Sequence, residues 1–229
     1  MEKHDVLYRC ALCSVQERVC TSPQGTGPDF CPTLHSPKKV FQETLKEYKK
    51  EEIREFARQS SIQEAECYAK RDIKPFVALP TKPRVQEIIE FARKMEFKKL
   101  GIAFCGGLKR EAGILHRLLL SHGFQVVSAI CKVGRTPKEE IGIKEHEKIH
   151  IGDFEAMCSP IGQAKLLNHA GTQLNIAMGL CVGHDSLFFK YSQAPTTVLV
   201  AKDRVMGHNP VAALYTINSY SRRLKNTDF

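Results

Sequence analysis

Tryptophan is absent from the 229 residues, which excludes nothing by itself. Other absences exclude more. No apolar run approaches the roughly 20 residues that a membrane-spanning helix needs. The opening MEKHDVLYRC has no apolar run of signal-peptide type, so a cytoplasmic protein is expected. Both phosphate-binding fingerprints, GxGxxG and GxxxxGK[ST], are missing, and the case for a nucleotide is correspondingly weak. Solenoid-type repeats and long low-complexity stretches are missing too. With 42% hydrophobic and 26% charged residues, the chain has the composition of a folded globular protein rather than a disordered one.

What the sequence has in excess is cysteine: nine, beside nine histidines. An odd count without an export signal argues against a disulfide framework. In a reducing compartment, spaced cysteines read as metal ligands or redox groups. The formal charge is +9, which admits nucleic acid, a nucleotide or an acidic redox partner protein. Between Lys38 and Lys99, however, cations alternate with acids at helical spacing, as in KKEE and EFARK. That pattern is read as a solvated mixed-charge helical surface. Few aromatics interleave with the basic residues, so a nucleic-acid binder with an amino-terminal zinc ribbon ranks last.

The chain reads as three zones: a Cys-, Pro- and Gly-rich module over 1–37, a charged helical connector packing on the core over 38–97, and an α/β domain over 98–229. In the connector a helix is expected from Ser36-Pro37, with a break near Ser60-Ser61, and a second from about Pro83 to Met95. In the third zone Lys98–Cys105, Gln125–Cys131, Gln173–Cys181 and Pro195–Ala201 read as strands. They alternate with helices over Leu108–His122, from Ser159-Pro160 to about Gly171, and from Asp185 to Tyr191. Asn209-Pro210 reads as an N-cap followed by proline in the first turn of a further helix. This order predicts a Rossmann-like open parallel sheet with flanking helices. The apolar strands do not alternate with polar residues, as expected when both faces are covered. The excursion from Lys132 to Met157, with a short helix at Pro137–Ile141, is long enough to act as a lid.

Cys105, Cys131 and Cys181 each close one of these strands. In a parallel sheet all carboxyl ends line one edge, where ligands bind. Cys158 precedes a helix that starts near the same edge. A lone cysteine in a strand is usually a small buried hydrophobe, but three at equivalent strand ends point to one shared thiolate site. Four thiolates suit zinc or an iron–sulfur cluster, here a 4Fe-4S cluster in preference. The second group is Cys10-x-x-Cys13, then Cys20, then Cys31-Pro32. A short segment with no core of its own is the kind a metal organises, with zinc and iron–sulfur both open, and His4 or His35 can stand in for one thiol. Cys67 is read as a non-ligand.

Polar groups gather at the same edge. Backbone amides of Gly106 and Gly107 can cradle an anion or cofactor. His184, Lys202 and His208 are candidates for acid–base work or substrate contact, with a structural histidine the competing reading. Asp185 and Asn209 are candidate cofactor contacts or helix caps.

CALCSVQERVC with its following CP, FCGGLKREA, CSPIGQAKLLN, GLCVGHDSLF and APTTVLVAKDRVMGHNP together resemble an uncharacterised family of prokaryotic metal-binding proteins, a domain of unknown function found largely in anaerobes. The resemblance covers almost the whole chain. It implies cytoplasmic metal binding through both cysteine groups and supplies no reaction. The family pattern has Asn after the cysteine at position 158, and Ser159 is expected to take over its capping role. The reading is therefore a metalloprotein with two four-Cys sites, the sheet-edge site serving electron transfer or small-molecule redox or sulfur chemistry. The competing reading is a non-enzymatic zinc protein for structure, sensing or storage.

Overall fold

The computed structural model describes residues 7–228; the candidate ligand His4 lies outside them. The chain divides into two compact units, Met1–Ser61 and Ile62–Phe229, and the charged stretch 38–97 is shared between them.

The first unit begins with a 3-10 turn at Cys10–Leu12 and continues through α1 (Pro32–His35), α2 (Lys38–Glu47) and most of α3 (Glu51–Glu66). The expected break at Ser60-Ser61 does not occur. Each hydroxyl donates to a carbonyl one turn back, Ser60 to Phe56 at 2.8 Å and Ser61 to Ala57 at 3.1 Å. The side chains therefore satisfy themselves inside the helix instead of competing with it. The chain breaks earlier, between α2 and α3 at 48–50.

The second unit carries α4 (Arg84–Lys94), β1 (Lys99–Phe104), α5 (Lys109–Ser121), β2 (Gln125–Ile130), α6 (Pro160–His169), β3 (Leu174–Met178), α7 (His184–Tyr191), β4 (Thr196–Val200) and α8 (Val211–Tyr215). The four strands form one open sheet in the order β2-β1-β3-β4, and every pairing is parallel. This is the expected Rossmann-like α/β architecture. Polarity does not alternate along the strands, but side-chain size does. Leu100, Ile102 and Phe104 of β1 join Leu174, Ile176 and Met178 of β3 in a core with Ile88, Ile89 and Ala92 of α4 and Leu115 and Leu119 of α5. On the other face Ala103, Ala129 and Ala177 lie under Ala164 and Leu167 of α6 and Phe188 of α7. One face supplies bulk to its helices; the other supplies small residues and receives bulk from them. Each large side chain so buried contributes about 1.5–3 kcal/mol.

Gly101 belongs to the small-residue face. A Cβ there would stand 2.1 Å from Asn175 Oδ1, the atom that accepts the Thr172 hydroxyl at 2.8 Å. At the outer edge, Arg84 Nε donates to the Val198 carbonyl at 2.7 Å, which ties the start of α4 to β4 and occupies part of an exposed strand edge.

The connection through α5 runs outward from β1 to β2, and that through α7 runs outward from β3 to β4. The topological switch point is therefore between β1 and β3, where an open sheet has its ligand crevice. The excursion 132–157 hangs over this end of the sheet. Pro137 bridges Ala156, and the expected helix there is a 3-10 turn, Lys138–Ile141. Inside the loop the Lys148 ammonium is held by Glu139 at 2.5 Å and Glu145 at 2.7 Å, and Glu155 by Lys138 at 2.8 Å. These pairs brace the excursion as a self-packed loop. No helix among the described residues is long and apolar enough to cross a membrane.

Candidate functional site

The carboxyl end of the sheet gathers the four thiols. Cys105 directly follows β1 and Cys131 directly follows β2. Cys181 follows β3 after Gly179 and Leu180, and Cys158 stands two residues before α6. Cys131 is buried and the other three are half-buried. The Cys131 thiol hydrogen-bonds to Cys158, which holds the Cys131 proton well above the ordinary thiol range, with burial adding to the effect. The same bond lowers Cys158, helped by the nearby Lys132 and His184 side chains. Arg204 feels the sulfurs of Cys181, Cys105 and Cys158, and Cys131 feels those of Cys158 and Cys105, so the four thiols share one electrostatic neighbourhood.

Three of the sulfurs accept N–H bonds. The Gly106 amide donates to Cys131 Sγ at 3.3 Å. Lys202 Nζ donates to Cys105 Sγ at 3.4 Å, and the Arg204 guanidinium to Cys181 Sγ at 3.2 Å. The Lys202 arm reaches across the switch-point crevice. A Cβ on Gly179, at the end of β3, would lie 3.7 Å from Lys202 Cδ, and one on Gly107, after β1, would lie 3.4 Å from Lys202 Nζ and 4.0 Å from Cys105 Sγ. Two glycines thus leave the room through which a lysine from β4 reaches the end of β1. Gly179 has φ +65° and its Cβ would also meet Leu108 at 2.3 Å, so this position has both a conformational and a steric reason to be glycine.

Behind the thiols sits Gln163, a fully buried residue of α6. Its Nε2 donates to the carbonyls of Phe104 at 3.1 Å and Ala129 at 2.7 Å, tying together the carboxyl-terminal ends of β1 and β2. Sequence reasoning passed over Gln163, although a lone amide among Ala164, Leu167 and Pro160 is a detectable signal. It also passed over Lys132, and it placed Arg204 at the sheet edge after the fourth strand without giving it a role. Nothing in the sequence context of Lys132 separates it from the other 33 basic residues of the 34.

Other expected residues take different parts. His184 is half-buried at the first position of α7 and lies close enough to Cys158 to favour its thiolate. His208 has φ +67°, and its Nδ1 accepts the Asp203 amide at 3.1 Å, so it shapes the turn that carries Lys202 and Arg204. Gly106 spends its amide on a sulfur of the chain itself. Three capping expectations are corrected. Asp185 is not the N-cap of α7: Gly183 holds that position, and Asp185 Oδ1 accepts the next residue's amide, that of Ser186, at 2.8 Å. Asn209 is not the N-cap of α8, because Pro210 fills the cap position. Ser159 does stand at the N-cap of α6, but its hydroxyl makes no capping bond.

In the first unit Cys10, Cys13, Cys20 and Cys31 line a single cavity of about 130 Å³. The ribbon around it is closed by the bridge between Arg18 and Thr26. Gly27 lets it approach Cys31, whose Sγ would be 3.0 Å from a Cβ at that position. Among the described residues, no three His, Cys, Asp or Glu side chains are set to hold one metal ion as they stand. In both places the donors suit a thiophilic metal, and a metal would have to draw them together on binding.

The family model described as a protein of unknown function, DUF1847, matches residues 31–199. The chain belongs to that family. An uncharacterized protein of Methanocaldococcus jannaschii is 50% identical to it over 179 residues, 78% of this chain and 85% of the relative. The DUF1847 span contains Cys105, Cys131, Cys158 and Cys181 together with Cys31. It begins after Cys10, Cys13 and Cys20 and ends before Lys202 and Arg204.

Proposed function

We propose that this DUF1847 protein is a cytoplasmic thiolate metalloprotein whose working centre is the Cys105, Cys131, Cys158 and Cys181 site, holding an iron–sulfur cluster. The observation that carries the reading is the set of N–H donors on sulfur, from Gly106, Lys202 and Arg204. A neutral thiol is a weak acceptor. The cationic donors aimed at Cys105 and Cys181 suit thiolates, and hydrogen bonds to ligating sulfurs together with local charge are the means by which a protein tunes a cluster.

When bound, the cluster supplies one-electron chemistry or an iron at which a small molecule is handled. The chain's own residues supply the setting. Lys202 and Arg204 offset part of the negative charge of four thiolates. Gln163 fixes the strand ends from which Cys105 and Cys131 project. The amino-terminal thiols form a separate structural metal site, with zinc the simplest occupant. The partners that fit are a small-molecule substrate or an acidic redox protein, not nucleic acid.

The test is anaerobic purification followed by iron, acid-labile sulfide and zinc analysis. The reading expects about four iron and four sulfide per chain at the sheet-edge site. Stoichiometric zinc without iron overturns the cluster and leaves a zinc protein. Absence of both metals overturns the metal reading altogether.

A further inference from the structure

We infer that the outer face of the sheet-edge site is a subsite for a small anion, a carboxylate or oxyanion, held by Lys202 and Arg204. The inference rests on the thiolate site just proposed and names the ligand class that the site takes.

The argument is a count of donors. The Lys202 ammonium has three N–H bonds to give and the Arg204 guanidinium five. Among the described residues, one from each goes to a sulfur, and neither side chain has a carboxylate partner or a carbonyl acceptor. Neighbouring carboxylates are turned away to backbone amides. Asp203 Oδ1 accepts Val205 and Met206 at 2.9 and 2.8 Å, and Asp185 Oδ1 accepts Ser186 at 2.8 Å. The cations beside the thiols are therefore left with unspent donors.

Geometry supports the same conclusion. Lys202 is half-buried and Arg204 exposed, so the pair stands between the sulfurs and solvent. Lys202 Nζ lies over Gly107 in the switch-point crevice, where open α/β sheets bind ligands. A planar guanidinium forks onto two oxygens of a carboxylate or oxyanion, and an ammonium adds a point charge beside it.

The experiment is calorimetric titration of the full-length, anaerobically purified protein with sodium acetate and, separately, sodium sulfate. Metal content and thermal melting are measured first for every variant. Saturable binding is expected in the wild type. Lys202→Gln and Arg204→Gln are each expected to weaken it about ten-fold, the scale of one hydrogen bond to a charged group. Lys165→Gln, on the exposed side of α6, is expected to bind as wild type does. No saturable binding in metal-loaded wild type, or equal binding by Lys202→Gln and Arg204→Gln, overturns the inference while leaving the metal reading intact. Conversely, if the protein carries no metal but still binds anions in a Lys202-dependent way, the subsite stands and the metal reading falls.

Discussion

Cys67 is 7% exposed and donates its thiol hydrogen to the Gln63 carbonyl at 3.1 Å, and burial pushes the thiol up. Cys105 and Cys181 are half-buried and accept from Lys202 and Arg204. The same side chain is thus kept protonated in one place and offered donors in another. Replacing Cys67 by Ser should leave the metal content unchanged and lower stability by about 1 kcal/mol, because a smaller, more polar group enters a buried site. Replacing Cys105 by Ser should lower metal content while the melting curve stays cooperative. Metal analysis beside thermal melting checks both. The thiol positions were legible in the sequence, since Cys105, Cys131 and Cys181 sit at or just beyond predictable strand ends and Cys158 just before a predictable helix start. Which donor meets which sulfur was not. Arg204 reaches Cys181 from 23 positions away and Lys202 reaches Cys105 from 97 away, and such pairings exist only once the strands are ordered.

At the scale of elements, the alternation of large and small residues decides how the helices sit. Gly101 is the tightest point on the small-residue face, with Asn175 Oδ1 in the place a Cβ would take. Gly101→Ala should destabilise the protein by about 1–3 kcal/mol through overpacking and disturbance of the buried Thr172–Asn175 hydrogen bond. Chemical denaturation measures it, and a loss below a few tenths of a kcal/mol would show that the contact yields freely. The strands were legible because their apolar runs are short and bounded by helical patterns. The caps were less so. Ser159, Asp185 and Asn209 are residue types that favour caps, but at each helix start the chain geometry either placed another residue in the cap position or left the side chain without the bond. The continuity of α3 through Ser60-Ser61 was hidden for a related reason: a serine that bonds back to its own helix looks, in sequence, like one that ends it.

For the whole molecule, the +9 charge coexists with carboxylates held strongly ionised. Hydrogen bonds from Lys82 and then Gln63 keep Glu90 at about 2, and Lys138 keeps Glu155 at about 2. Both folded values lie below the ordinary value of 4.5. Their stabilisation is therefore fully present above about pH 4.5 and is lost as pH falls toward 2. Glu90→Gln should remove about 1 kcal/mol of that acid dependence, after allowance for partial exposure, in denaturation midpoints measured from pH 6 to pH 3. The central claim concerns the other charged system, the four thiols that the parallel sheet brings to one edge. Its most direct test is metal stoichiometry in two full-length variants purified anaerobically, one with Cys105, Cys131, Cys158 and Cys181 replaced by Ser and one with Cys10, Cys13, Cys20 and Cys31 replaced. The account predicts that the first variant loses all sheet-edge iron and keeps the amino-terminal metal, and that the second does the reverse. Unchanged iron in the first variant would contradict it.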